Sequence, residues 1–144
     1  MSVEQNKETF RRWIEEGWNR GDLSVVDQLY APAYVSHSLP PGFAPDRAGL
    51  KQFVTAFRTA FPDLHFTLDD VVGEGEKVIA RFTGTGTHRE AFMGIAATGK
   101  PITVGGFLQA RFEGGRWAED WVSWDQLGML QQLGVVPTAG QGAA

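Results

Sequence analysis

Asp125 stands where one hydrophobic period gives way to another, in WVSWDQLGMLQQLG, residues 121–134. Upstream, Trp117, Glu119, Trp121 and Ser123 alternate with Ala118, Asp120, Val122 and Trp124 as in a strand; downstream, Leu127, Leu130 and Leu133 recur at helical spacing. A carboxylate at such a join has two chemistries open to it. As a helix N-cap it accepts a backbone N–H of the first turn, a contribution of about 1 kcal/mol. As a general acid/base it needs apolar surroundings that raise its pKa toward the operating pH, which nearby tryptophans supply. The two roles pull its pKa in opposite directions.

Three histidines are the other candidate proton carriers: His37 in a loop, His65 in a strand and His88 at a strand end. None is spaced as H-x-x-x-H or H-x-H, so no metal is expected. His37 precedes the Pro-rich SLPPGFAP and is placed either to close over a pocket, as a second acid/base or a carbonyl donor, or to sit in a surface loop. In FLQARF, residues 107–112, Phe107, Gln109 and Arg111 share one strand face, which suits a pocket wall or a solvated outer surface. Trp13, Trp121, Trp124 and Phe57 read as core or pocket lining, and His88 and Phe92 as pocket wall. GIAATGKP, residues 94–101, imitates a phosphate-binding loop, but Pro101 stands where a Ser or Thr would hold magnesium and a strand follows instead of a helix. Nucleotide binding is rejected on those grounds.

These side chains need elements to hold them. Ser2 and Gln5 form a capping box for a first helix whose inward face is Phe10, Trp13, Ile14, Gly17 and Trp18 and which NRG ends. Asp22 caps a short second helix through Leu29, and Asp46 a third with Leu50, Phe53, Val54, Phe57 and Phe61 inward, closed by Pro62. From Leu64 the period becomes two. LHFTLDDVV, KVIARFTGTGTH, PITVGGFLQARFE and RWAEDWVSW predict four strands, joined by GEGE, by GIAATGK and by a two-residue GG turn. Helices followed by an antiparallel sheet give an α+β class. Aromatic helix faces and a curved sheet predict a cone, with the sheet wrapped around the helices and an interior pocket where they fail to meet.

The 144 residues predict one domain over residues 1–136, with PTAGQGAA at 137–144 a disordered tail. The absence of cysteine removes disulfides, thiol nucleophiles and Cys-ligated zinc. A net charge of −4 from interspersed residues argues against nucleic acid as a partner. Neither a signal-peptide core nor a membrane-length apolar run is present, so a soluble, cytoplasmic chain without a membrane partner is expected.

FPDLHFTLDDVV, TGTH followed by FMGIAATGK, and WDQLGMLQQLG occur in an order that resembles the SnoaL-like polyketide cyclases, within the nuclear-transport-factor-like cone fold. The resemblance runs from the first helix to about Val136. It implies a cofactor-independent intramolecular aldol cyclisation of a hydrophobic polyketide ester, with an aspartate at the end of the last strand as general acid/base. Asp125 matches that aspartate, and His37 and Gln109 match polar pocket positions. Arg111 stands where cyclases of this type tend to carry histidine, a departure from the pattern. The resemblance also implies a homodimer through the outer sheet face. An epoxide hydrolase of this fold would pair arginine and aspartate at i and i+2 on a strand, whereas Arg81 is followed by Thr83. A binding protein without turnover and a cofactor-free hydroxylase are the remaining alternatives.

Overall fold

The computed structural model describes residues 2–137; of the expected tail, all but Pro137 lies outside the described residues. The helical part opens with α1, Val3–Arg12, whose capping box is formed by Ser2 and Gln5. The chain then widens into a π-helical stretch, Trp13–Asn19, rather than continuing as the regular helix the spacing predicts. Such widenings are rare and alter which side chains share a face. Here a Cβ on Gly17 would collide with the Trp13 ring, so glycine makes room for the indole. Next come α2, Ser24–Leu29, and α3, Arg47–Ala60. Asp46 caps α3 by accepting the Gly49 N–H at 2.9 Å, while Asp22 receives the Ser24 N–H at 3.1 Å, just ahead of α2.

Among the described residues the sheet has five strands, one more than the periodicity predicts. The strand without a predicted counterpart is β1, Tyr30–Ser36. Its Pro32 suits only an edge position, and β1 is indeed the sheet's edge, paired in parallel with the last strand. The other four are β2, His65–Glu74; β3, Lys77–Thr87; β4, Pro101–Glu113; and β5, Arg116–Trp124. These pair antiparallel in the order β5-β4-β3-β2. Gly114 and Gly115 make the β4–β5 turn with φ of 58° and 80°, the left-handed pair that a two-residue hairpin of this twist demands. After β5, α4 spans Gln126–Gln132. The result is an α+β fold in which a curved, unclosed sheet wraps the N-terminal helices.

Two aromatic clusters hold the layers together. In one, Trp117 stacks between Phe10 of α1, at 4.9 Å, and Tyr30 of β1, at 4.8 Å, tying helix to sheet edge. In the other, Phe57 of α3 and Phe61, which caps its C-terminus, meet Phe92 at 4.6 and 5.7 Å, with Met129 and Leu133 in the same buried group. A bulge interrupts β5. Arg111 pairs with Glu119 and Phe112 with Trp117, leaving Ala118 as an extra residue. An extra residue reverses the alternation of all that precedes it. Trp117, which strict alternation would put on the side of Glu119 and Trp121, is therefore buried in the core.

Gly105 and Gly106 test how tightly the sheet is packed behind the helices. A Cβ at Gly106 would come within 2.6 Å of the Ser123 carbonyl and 2.7 Å of the Phe82 ring, whereas at Gly105 the nearest atom is 3.7 Å away. Gly106→Ala is expected to destabilise the fold by about 1–3 kcal/mol. Gly105→Ala should be neutral or slightly stabilising, because it restricts the unfolded chain. Urea denaturation of the two variants checks the contrast.

Candidate active site

Between the two clusters lies a cavity whose wall is drawn from every layer. The π-helical stretch contributes Trp13, Ile14 and Trp18, and α3 contributes Phe53 and Phe57. The sheet contributes Tyr30, Tyr34 and Ser36 from β1 and Asp120, Val122 and Trp124 from β5, while Ser38, Leu39 and Pro40 lie in the segment after β1. Among the described residues that line it, Asp120 is the one charged side chain.

Asp120 is 4% exposed. Its carboxylate accepts from the Tyr34 hydroxyl at 3.0 Å (Oδ1) and 2.9 Å (Oδ2), and from the Trp117 indole N–H at 2.9 Å. Each donor owes its position to the architecture of the sheet. The parallel pairing sets Ser36 opposite Asp120, which brings the neighbouring strand's Tyr34 within reach. The bulge at Ala118 turns Trp117 to the same side as a residue three positions later. Burial is the dominant influence on the carboxyl and raises its pKa from 3.8 to about 6; the Tyr34 and Trp117 hydrogen bonds oppose it without prevailing. Tyr34 in turn is pushed above the ordinary tyrosine range, first by burial and then by the Asp120 charge, so its hydroxyl stays protonated.

The residues expected from sequence to form the site are dispersed. Trp13, Phe57 and Trp124 line the cavity. His88 and Phe92 are fully buried in the neighbouring aromatic cluster, where His88 stacks on Phe61 at 5.2 Å and its Nδ1 accepts the Thr98 N–H at 3.2 Å. Phe107, Gln109, Arg111 and Trp121 occupy the opposite, outward face of the sheet. His37 joins them there: its ring stacks on Trp121 at 4.8 Å with an 8° tilt, and its Nε2 lies 2.8 Å from Glu119 Oε2. Arg111 Nε donates to the other Glu119 oxygen at 2.6 Å. Arg111 and then His37 hold the Glu119 carboxyl below its usual range. Asp125 is exposed and caps α4 by accepting the Gly128 N–H at 2.8 Å. It stands outside the cavity lining.

Asp120, Tyr34, Ser36 and Tyr30 escaped the sequence reading. A signal for Asp120 was present: it is the one charged member of the row Ala118, Asp120, Val122, Trp124. Tyr34 carried no such signal, because the strand bearing it was not predicted. Among the described residues no group of three His, Asp or Glu side chains is arranged to hold a metal, and no helix is long and apolar enough to cross a membrane.

The fold has counterparts among known proteins. The family model for SnoaL-like polyketide cyclase matches residues 8–133. The chain belongs to that family. TsrD from Streptomyces laurentii superimposes with a TM-score of 0.86 at 28% identity, over 94% of this chain and 99% of TsrD. AclR, a proposed hydroxylase from Streptomyces galilaeus, gives 0.83 at 28% identity, over 94% of this chain and all of AclR, 100%. IdmH, a proposed polyketide cyclase from Streptomyces antibioticus, is 34% identical with a TM-score of 0.79, over 90% of this chain and 99% of IdmH. No match was found among curated proteins.

The raised pKa of Asp120 has a consequence for stability. The folded chain holds this proton to about pH 6 and the unfolded chain only to about 3.8. Between those values the folded state binds more protons, so the contribution of Asp120 to stability falls as pH rises from about 4 to about 6. At about 1.4 kcal/mol per tenfold change in proton affinity the loss is roughly 3 kcal/mol. In Asp120→Asn that loss should vanish. The difference in unfolding free energy between wild type and variant, measured across pH 4–7.5, is expected to shift in the variant's favour by this amount.

Proposed function

We propose that the cavity carries out cofactor-independent acid/base chemistry on an uncharged, hydrophobic, polyketide-like substrate, with Asp120 as the base. The observation that carries this reading is a carboxylate, with a pKa of about 6, that is the one charged group among the described residues of a wall built of aromatic, aliphatic and hydroxyl-bearing side chains. A base titrating there is ionised at neutral pH and still a stronger proton acceptor than an ordinary aspartate. The absence of lysine, arginine and histidine from the described lining argues for a ketone or ester over a free acid. An anionic substrate would be buried unpaired beside a second negative charge.

In the cyclisation this supports, the Asp120 carboxylate removes a proton from a carbon next to a carbonyl, giving a carboxylic acid and an enolate. The enolate carbon bonds to a second carbonyl carbon of the same molecule, whose oxygen becomes an alkoxide. Asp120 returns its proton to that alkoxide and is restored. Trp13, Trp18, Phe57 and Trp124 present flat faces for a planar substrate and keep the dielectric low. The proposed hydroxylase function of AclR supports testing a second outcome, in which the same carbanion reacts with molecular oxygen.

The first test follows exchange of the acidic C1 protons of 2-tetralone in D2O by proton NMR. Wild type is expected to accelerate exchange, with the rate rising through about pH 6. Asp120→Asn should lose about a hundredfold or more. Asp125→Asn should retain the rate, since asparagine is an equally good N-cap. Loss in the Asp125 variant with retention in the Asp120 variant would transfer the role to Asp125. Saturable binding without exchange would make the chain a binding protein, and oxygen uptake with substrate would favour the hydroxylase.

We further propose that the outer sheet face mediates homodimerisation. Phe107 and Trp121 lie there 53% and 39% exposed, a flat aromatic surface flanked by the paired Arg111 and Glu119. Light scattering should give twice the monomer mass for wild type and the monomer mass for Phe107→Glu, with catalytic exchange of 2-tetralone persisting in the variant.

A further inference from the structure

The hydroxyls in the cavity wall differ in what the protein does with them. Tyr34 donates to Asp120. Ser36 Oγ accepts the Ser38 and Leu39 N–H groups, each at 3.2 Å, and Ser38 Oγ accepts the Val122 N–H at 2.7 Å. Tyr30 is the exception: its hydroxyl is buried and has no hydrogen-bond partner among the described residues.

Packing alone does not account for that hydroxyl. The Tyr30 ring stacks on Trp117 at 4.8 Å and meets Trp13 and Tyr34 edge-on at 5.2 and 4.7 Å, contacts a phenylalanine would make equally well. The oxygen adds only the cost of leaving water, which a buried phenol normally recovers through a partner. Burial, reinforced by the Asp120 charge, also keeps the phenol protonated, so it can donate. Its place relative to the base is fixed by one rigid side chain, because the Trp117 ring that stacks on Tyr30 is the ring whose N–H holds Asp120. A buried donor whose ring packs on the tryptophan that holds the base, with no acceptor of its own among the described residues, is complementary to an oxygen on the molecule the base acts upon.

We propose that the Tyr30 hydroxyl is a specificity-determining donor for a substrate carbonyl oxygen, so that the cavity selects neutral ketones over hydrocarbons of the same shape. This rests on reading the cavity as the ligand site. In the acid/base reaction the same donor faces the oxygen on which enolate charge develops, and its contribution grows as that charge forms.

The test compares binding of 2-tetralone with that of tetralin, its carbonyl-free analogue, by tryptophan fluorescence titration of wild type and Tyr30→Phe. Wild type is expected to prefer 2-tetralone, and Tyr30→Phe to weaken that ligand about fivefold while leaving tetralin unchanged. The exchange rate of 2-tetralone should fall by more than its affinity. The melting temperature of the free variant should be equal to or above that of wild type, as no internal hydrogen bond is removed. Equal affinity of wild type for both probes, an equal loss for both in the variant, no change for either, or a marked drop in melting temperature would each overturn the proposal. Selective loss of 2-tetralone binding with no catalysed exchange in wild type would sustain Tyr30 while removing Asp120 as base. Failure of wild type to bind either probe would remove the cavity as the ligand site and this proposal with it.

Discussion

The burial of one carboxylate sets the terms for the centre of this molecule. Asp120 occupies a position that its strand reserves for apolar residues, and desolvation, not any neighbouring charge, dominates its proton affinity. An ionised group there is tolerable only because two donors reach it from different directions. Those donors require long-range features of the sheet. Without β1 lying parallel along β5 there is no Tyr34. Without the extra residue at Ala118, the Trp117 indole would be on the wrong side. The aromatic stack that joins α1 to the sheet edge is built on that same tryptophan, so the packing that closes the cone is also the packing that orients the carboxylate.

The two faces of β5 handle charge in contrasting ways. Outward, Glu119 is solvent-facing and paired with Arg111 and His37, an arrangement in which each charge is screened and its net contribution is small. Inward, one residue later, Asp120 meets only neutral donors. Neutral hydrogen bonds stabilise an ionised carboxylate less than a cation would, which leaves the pKa at about 6 and the group able to exchange its proton near neutrality. An arginine on the inner face in place of these donors would give a firmer ion pair and a poorer base.

Membership of the SnoaL-like family accounts for the cone and its interior pocket, and the matched span from residue 8 to 133 includes every element that lines the cavity. A fold of this kind hosts more than one chemistry. Among the described residues the lining of this chain is aromatic on most sides, with hydroxyls confined to β1 and the segment after it, and a single carboxylate.

The sequence by itself determined most of the scaffold, because local rules govern it. Helix starts at Ser2 and Asp46, the GG hairpin and the alternation of the last four strands are written in adjacent residues, and each corresponds to an element of the structure. Asp125 shows the limit of such rules. Its position at a strand-to-helix join is visible in sequence, but what surrounds a carboxylate there depends on which way the join faces, and here it is exposed and accepts the Gly128 N–H. Alternation likewise separated Phe107, Gln109 and Arg111 from Leu108, Ala110 and Phe112 without saying which set was inside. That decision belonged to tertiary structure, since a period of two fixes faces only relative to each other and the packed helices choose between them. Tertiary structure also added β1, masked by its proline, and slipped the alternation at Ala118 by one residue. Together these two non-local events surround Asp120 with its donors, for the physical reason that a strand's partners and bulges are set by the chain it lies against, not by its own sequence.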